Sequence, residues 1–390
     1  MWFFNTPEII FGPGALDYLE EIQGQRAFIV TDANMEALGF VDLVRQRLQK
    51  AGLTCQVWAE VEPDPALQTV QRGAQAALAF QPDWIVGLGG GSCLDAAKGV
   101  WVLYERPDLT PDGINPIERL GLRRKARLIA IPTTSGTGSE ATWAIVLTDS
   151  AEQRKLGLGS RENLPDMAIV DPLFAANLPP RLTADTGLDA LTHAVEGYTS
   201  SWANDFCDGP CLKAIELVFR YLPRAYADGS DAEAREKMHN AATLAGMGFG
   251  NSMVALAHSM GHALGGLFHT PHGRAVSLFL PYAIEFIARG PTMMPTRYGE
   301  IARFLGLPAA TEEQGAASLV TAIRELMRQV GQPLTLQELG LSGEELEANL
   351  EMLATNAELD VYTVTSLRVP THEEIIRLYR YAYEGKAVDF

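Results

Sequence analysis

Short apolar runs alternate with amphipathic stretches through the first half of the chain. Ala27–Thr31 and Thr54–Ala59 read as strands, with one helix over Asn34–Lys50 between them. Asp64-Pro65 reads as a helix cap followed by proline in the first turn. Trp84–Leu88, Leu128–Ile131 and Met167–Val170 are continuous apolar runs, the pattern of strands buried on both faces. Strands alternating with helices predict a parallel sheet covered on each side. Beyond Asp171-Pro172 helical periodicity takes over: Thr183–Tyr198, Asp208–Tyr221, Ala232–Met247, Ser252–Gly265, and more helix to the end. The predicted fold class is therefore an α/β N-terminal domain (1–178) followed by an all-helical C-terminal domain (179–390), with Leu178-Pro179-Pro180 as the hinge.

Composition narrows the function classes. The 390 residues carry 31 Lys and Arg against 48 Asp and Glu, a net charge of −17. Phosphate-rich partners need clustered bases, so neither nucleic acid nor an anionic membrane is an expected partner. No apolar run reaches the roughly 18 residues of a membrane span, and the opening segment lacks the basic and apolar regions of a secretory signal. The four cysteines are too few for a disulfide framework. Cys207 and Cys211, four apart, are expected as buried thiols. The expected location is cytoplasmic.

Two turns carry phosphate-binding chemistry. Gly87-Leu88-Gly89-Gly90-Gly91-Ser92 follows a strand and opens a helix through Asp95 and Lys98. Its glycines let backbone amides approach a pyrophosphate, although Ser92 stands in place of the third glycine of the dinucleotide fingerprint. Tight strand–helix packing would demand the same glycines. Pro132–Glu140 is a second turn just past a strand, rich in hydroxyls that suit a ribose or phosphate. Two such turns at strand C-terminal ends point to a dinucleotide. Asp32 directly follows the first strand. There it either accepts hydrogen bonds from an adenosine ribose or caps the next helix.

The second half holds candidate metal ligands. Asp189 and His193 are four apart on one helix face, as are His258 and His262; Thr270-Pro271-His272-Gly273 places another imidazole in a turn. Such a set suits a divalent cation with nitrogen and carboxylate donors. A single helical histidine is more often a packed residue. Spacing does not show that the three segments meet, nor whether His258 or His262 is the ligand. His239, His269 and His372 lack such company.

Together these segments resemble the iron-containing (group III) alcohol dehydrogenases. The likeness rests on Gly-Gly-Gly-Ser-x-x-Asp-x-x-Lys at 89–98, Pro-Thr-Thr-Ser-Gly-Thr-Gly-Ser-Glu at 132–140 and Asp-Ala-Leu-Thr-His-Ala-Val-Glu-Gly at 189–197. His-Ser-Met-Gly-His at 258–262 and Thr-Pro-His-Gly at 270–273 continue it, in order along essentially the whole chain. The resemblance implies a Rossmann-like first domain, a dehydroquinate synthase-like architecture, and hydride transfer between NAD(H) and a small alcohol or aldehyde. It implies Asp189, His193, His258 and His272 as ligands of Fe(II), with Zn(II) or another divalent ion as the alternative. His262 then lies just outside the ligands as the proton-moving catalytic residue. Gly90, Gly91, Ser92, Thr133, Thr134, Thr137 and Lys155 hold the dinucleotide, and Asp32 matches the acidic position that favours NAD over NADP. Thr142 and Phe249 border the substrate pocket. A homodimer or higher homo-oligomer is implied as well.

Two positions depart from the family pattern. Asp64 stands where many relatives have asparagine between two prolines, and Val276 also replaces an asparagine. Two other readings keep the same residues. One is a same-fold lyase or transhydrogenase that retains NAD through its cycle; net NADH absorbance change with added aldehyde separates it. The other is a non-catalytic cofactor-binding protein, which would be free of metal.

Overall fold

The structure, a computed structural model, describes residues 3–117, 119–150 and 154–390. Met1 and Trp2, which begin the opening segment read above, lie outside them. Contacts divide the chain into two compact units, the first ending at Asn177 and the second running from Leu178 to Phe390.

The first unit is built on strands β1 (Glu8–Phe11), β2 (Arg26–Val30), β3 (Thr54–Trp58), β4 (Trp84–Gly89), β5 (Arg127–Pro132), β6 (Ala144–Asp149), β7 (Arg154–Gly159) and β8 (Met167–Val170). Six of them form one parallel sheet in the order β1-β8-β5-β4-β2-β3. Successive side chains on a strand point to opposite faces, and the core divides accordingly. Phe28, Val30, Ile85 and Leu128 pack on one face with Val70, Val100 and Trp101, from the helices Leu67–Phe80 and Gly91–Glu105. Ala27, Ile29, Val86, Leu88 and Ile129 pack on the other with Val41, Val44 and Leu48, from the helix Phe40–Lys50. Both faces are covered, which is why these strands are apolar throughout rather than alternating.

Chain direction across the sheet reverses at β2, whose neighbours are β3 on one side and β4 on the other. Ligands of open parallel sheets gather beyond the strand C-termini at such a switch point. Asp32 follows β2 there, and the glycine turn follows β4.

In this unit two sequence expectations change and one element is new. The helix over 34–50 is two, Ala33–Ala37 and Phe40–Lys50. They are parted by Gly39 at φ 76°, a left-handed conformation that interrupts the helical hydrogen bonding. Asp64 is not a helix cap: it sits at φ 53°, and its helix starts later, at Leu67 behind Ala66. The antiparallel β6–β7 pair was not anticipated. In β6 the buried Ile145 and Leu147 alternate with Ala144 and Val146, which are apolar too, so no polar alternation marks the strand in the sequence.

The second unit is helical. Pro180–Thr199, Asp205–Ala227, Ala232–Phe249, Leu256–Phe268 and His272–Arg289 surround a core including Leu188, Leu191, Val195, Val218, Leu222, Leu264 and Phe279. The fourth of these begins at Leu256 rather than Ser252, because Met253 at φ 75° breaks the helical path. Cys207 and Cys211 are buried free thiols. Among the described residues no helix is long and apolar enough to cross a membrane.

Candidate metal centre and dinucleotide site

Asp189 and His193 project from consecutive turns of the Pro180–Thr199 helix. His258 lies in the first turn of Leu256–Phe268, and His272 opens His272–Arg289. The packing of these helices brings the three segments together. One donor atom from each of Asp189, His193, His258 and His272 lies within 4.8 Å of the others, with the first three residues buried. Asp189 Oδ1 is 3.7 Å from His193 Nδ1 and 3.5 Å from His272 Nε2. Donors bonded to one ion at about 2.0–2.2 Å stand roughly 3–4 Å apart, so these separations suit a shared cation.

Two glycines permit this approach. A Cβ on Gly273 would run into the backbone carbonyl of Asp185, on the turn that precedes Asp189. A Cβ on Gly261 would come within 2.6 Å of Val276 Cγ1 and 2.8 Å of its Cα, holding apart the helices that carry His258 and His272. The second of these contacts gives Val276, the departure from the family pattern, a packing role.

His258 is oriented by a residue that the sequence reading quoted but did not single out. Glu196 accepts hydrogen bonds from the amides of Ala255 and Ala257 at 2.9 and 2.6 Å, and its Oε2 lies 2.6 Å from His258 Nδ1. Ala255 supplies no side-chain cap to its helix; Glu196 caps that helix from its neighbour, where a carboxylate also favours the positive end of the dipole. With two amides donating to it, Glu196 is the acceptor. His258 Nδ1 therefore carries the hydrogen, and Nε2 keeps its lone pair. Burial pushes the Glu196 carboxyl up to about 7, opposed by these hydrogen bonds. Burial also holds the His258 imidazole well below its ordinary pKa, favouring the neutral, ligating form. Glu196 lies three residues after His193 on the same helix, so its spacing was a usable signal.

His258 Nε2 is buried and has no hydrogen-bond partner among the described residues. Such an atom is costly unless something coordinates it. A cation held by three imidazoles and a carboxylate would satisfy it, so the donor set fits the divalent ion implied by the sequence.

His262 stands beside this cluster. Its ring stacks on His272 at 5.2 Å between centroids and meets His258 edge-on at 5.9 Å. Its Nδ1 lies 2.8 Å from Asp360 Oδ2. Asp360 also accepts from the Tyr362 amide at 2.9 Å. Although burial works to raise it, the Asp360 carboxyl sits below its ordinary range because His262 and these donors favour the charged form. Asp360 is 98 residues from His262, and no local pattern points to it. Phe249 lies flat against His193, with centroids 4.1 Å apart and planes 11° from parallel. The other histidines are elsewhere: His239 is buried within its helix, His269 caps a helix end, and His372 pairs with Glu351 and Glu358 on the surface.

In the first unit the two predicted turns touch. A Cβ on Gly91 would lie 2.8 Å from Thr137 Cγ2, and one on Gly90 would lie 3.3 Å from Thr134 Cγ2. The Thr133 amide donates to Gly89 O at 3.0 Å, continuing the β4–β5 ladder into the turns. Ser92 Oγ accepts from the Asp64 amide at 3.3 Å, and Asp64 Oδ1 takes a 2.7 Å hydrogen bond from Lys155 Nζ. The acidic departure at 64 therefore ties Lys155 to the glycine turn. Asp32 caps the short helix after β2, accepting from the amides of Asn34 and Met35, while its Oδ2 accepts from the Cys93 thiol at 3.2 Å. Thr142 is buried, and its hydroxyl is occupied by Lys98. Gly90, Gly91, Ser92, Thr133, Thr134, Thr137 and Asp32 thus lie past the C-terminal ends of β4, β5 and β2, and Lys155, on β7 of the two-stranded sheet, reaches them through Asp64.

Comparison with known proteins places the chain. The iron-containing alcohol dehydrogenase family matches residues 6–172, and the C-terminal part of the Fe-containing alcohol dehydrogenase family matches residues 183–383. The chain belongs to the iron-containing alcohol dehydrogenases. It is 39% identical to an NADPH-dependent butanol dehydrogenase of Clostridium saccharobutylicum over the full length of both. It is 38% identical to an aldehyde-alcohol dehydrogenase of Streptococcus pneumoniae, matching 98% of this chain but only 46% of that longer protein. The solved iron-containing alcohol dehydrogenase of Thermococcus thioreducens superposes with a TM-score of 0.90 at 34% identity, covering 99% of this chain and all of that one. This family member is an oxidoreductase with a parallel α/β sheet, a helical C-terminal region and an Asp-His-His-His cluster.

Proposed function

We propose that this alcohol dehydrogenase interconverts small alcohols and aldehydes, using NAD(H) and an Fe(II) ion held by Asp189, His193, His258 and His272. The observation that carries the reading is the convergence of these four donors around the unpartnered His258 Nε2. Zn(II) suits the same donors, and the metal content of anaerobically prepared protein decides between them. A divalent ion at this cluster supplies Lewis acidity, which stabilises negative charge on a substrate oxygen. The nicotinamide supplies the redox chemistry: the alcohol loses a hydride from carbon and a proton from oxygen, giving aldehyde, NADH and H⁺.

The chain's own residues bind, orient and move the proton. Glu196 fixes the tautomer of His258, and Asp360 does the same for His262. His262 receives the hydroxyl proton during oxidation and returns it during reduction. Phe249, flat against His193, gives the site an apolar wall suited to a short aliphatic substrate. Gly90, Gly91, Ser92, Thr133, Thr134, Thr137 and Lys155 bind the dinucleotide, and Thr142 borders its nicotinamide. The charge of Asp32 repels a 2′-phosphate and favours NAD. The butanol dehydrogenase above is named for NADPH, so coenzyme choice has to be measured on this chain.

An exposed Phe11 on edge strand β1 supports self-association as a homo-oligomer, which light scattering tests. The acidic surface and absence of a membrane-spanning helix among the described residues support a cytoplasmic enzyme. The deciding experiment is a panel of alcohols and aldehydes with NAD(H) and NADP(H), run on anaerobic protein and on its Asp189→Ala and His272→Ala variants. Both variants should lose metal and turnover. Full activity in a metal-depleted variant would end this reading.

A further inference from the structure

Lys98 is a buried ammonium with no role in the chemistry above. Its side chain is 1% exposed, and burial lowers its pKa despite the nearby Asp95 and Glu140. It projects from the Gly91–Glu105 helix, two turns in from the glycines. Its Nζ donates to Ser139 Oγ at 2.7 Å, Ala144 O at 2.8 Å and Thr142 Oγ1 at 3.3 Å. Asp95, one turn earlier, accepts from Ser139 Oγ at 2.6 Å and from the Val146 amide at 2.9 Å, and lies 3.5 Å from Lys98 Nζ.

Every bond in this set except Asp95–Lys98 joins one helix to one segment. The helix begins at the glycine turn, and the segment 139–146 leaves the hydroxyl-rich turn. An apolar side chain of similar length would fill the volume without the desolvation that a buried ammonium suffers. It would not fix the segment along the helix, because dispersion is not directional whereas hydrogen bonds are. The two turns are in van der Waals contact at Gly91 and Thr137, so a slip of 139–146 would move Thr137 against the glycines. We propose that Lys98, with Asp95, is a positioning residue for dinucleotide binding: it clamps the hydroxyl-rich turn in register with the glycine turn so that both address one dinucleotide. This rests on the dinucleotide reading proposed above.

The test compares metal-loaded, full-length wild type with Lys98→Met and with the double variant Asp95→Asn/Lys98→Met, which removes both charges of the Asp95–Lys98 pair. NADH and NADPH are titrated by fluorescence, and initial rates are measured against dinucleotide concentration. Both variants should raise Kd and KM for the dinucleotide at least tenfold, with a smaller proportional fall in kcat. Hydrogen exchange should accelerate at 137–146. A purely structural role would instead lower the fraction of active protein, reducing kcat at constant KM. If Lys98→Met does not fold, the double variant decides the matter. Wild-type affinity and KM in the double variant would overturn this inference alone. Failure of the wild type to bind either dinucleotide would overturn the dinucleotide reading with it.

Discussion

Arg274 grips Asp185 through two nitrogens, Nε to Oδ1 at 3.0 Å and Nη2 to Oδ2 at 3.1 Å. Arg274 lies two residues beyond His272, and Asp185 one helical turn before Asp189. The pair, both largely buried, therefore staples the turn bearing one imidazole to the helix bearing the carboxylate. Gln332 Nε2 adds a 2.7 Å hydrogen bond to Asp185 Oδ1. Arg274→Met should destabilise the fold by about 3–5 kcal/mol, because it leaves Asp185 without its cation. It should also loosen His272. Asp185→Asn/Arg274→Met should recover much of the stability yet still release metal faster than wild type during chelator challenge. Denaturant melts and metal analysis separate the two effects.

Glu196→Gln tests the support of His258. Glutamine keeps the shape and an acceptor oxygen but loses the charge that holds the His258 Nδ1 hydrogen. Outer-shell changes of this kind typically weaken metal affinity about 10–100-fold. Competition against a chromophoric chelator measures it without reference to turnover. Unchanged affinity would mean that the charge of Glu196 is not needed to hold His258.

Legibility from sequence differed between the two halves of the site. Strands β4 and β5 announce themselves as apolar runs ending in glycine or in Pro-Thr-Thr, since both faces are buried and the ligand edge demands small residues. Asp189 and His193 are legible as a pair through their helical spacing. Neither local pattern shows that Gly273 lets His272 reach them, because that depends on a backbone carbonyl in another helix. Asp360 is invisible for the same reason: its partner His262 is distant along the chain, and single polar residues near a helix end are common. Gly39 and Met253 misled the helix boundaries because local periodicity continues through both, while their left-handed backbone does not.

Coenzyme preference can be separated from helix capping at Asp32. Serine caps a helix about as well as aspartate but carries no charge. Asp32→Ser should therefore leave the melting temperature nearly constant and shift the ratio of kcat/KM for NADPH over NADH upward by at least tenfold. An unchanged ratio would assign Asp32 to capping alone.

His372 provides a pH signature away from the site. Hydrogen bonds to Glu358 and Glu351 raise its pKa above the ordinary value. A raised histidine pKa contributes stability that is fully present below about pH 6.5, the unfolded value, and is lost as pH rises through the higher folded value. His372→Gln should accordingly narrow the difference in melting temperature between pH 6 and pH 9. The effect will be small, because the cluster is exposed to solvent screening.

The proton path is tested at His262 and Asp360 together. His262→Asn removes the imidazole, and a lost general acid–base group typically costs 10²–10⁴-fold. Asp360→Asn leaves the imidazole but permits the other tautomer, since an amide can donate to Nδ1 where a carboxylate only accepts. That variant should lose kcat while binding metal as tightly as wild type, because neither residue is among the four clustered donors. The double variant should be no slower than His262→Asn alone, as Asp360 acts only through His262. Additive losses in the rate assay would instead give Asp360 an independent contact with substrate.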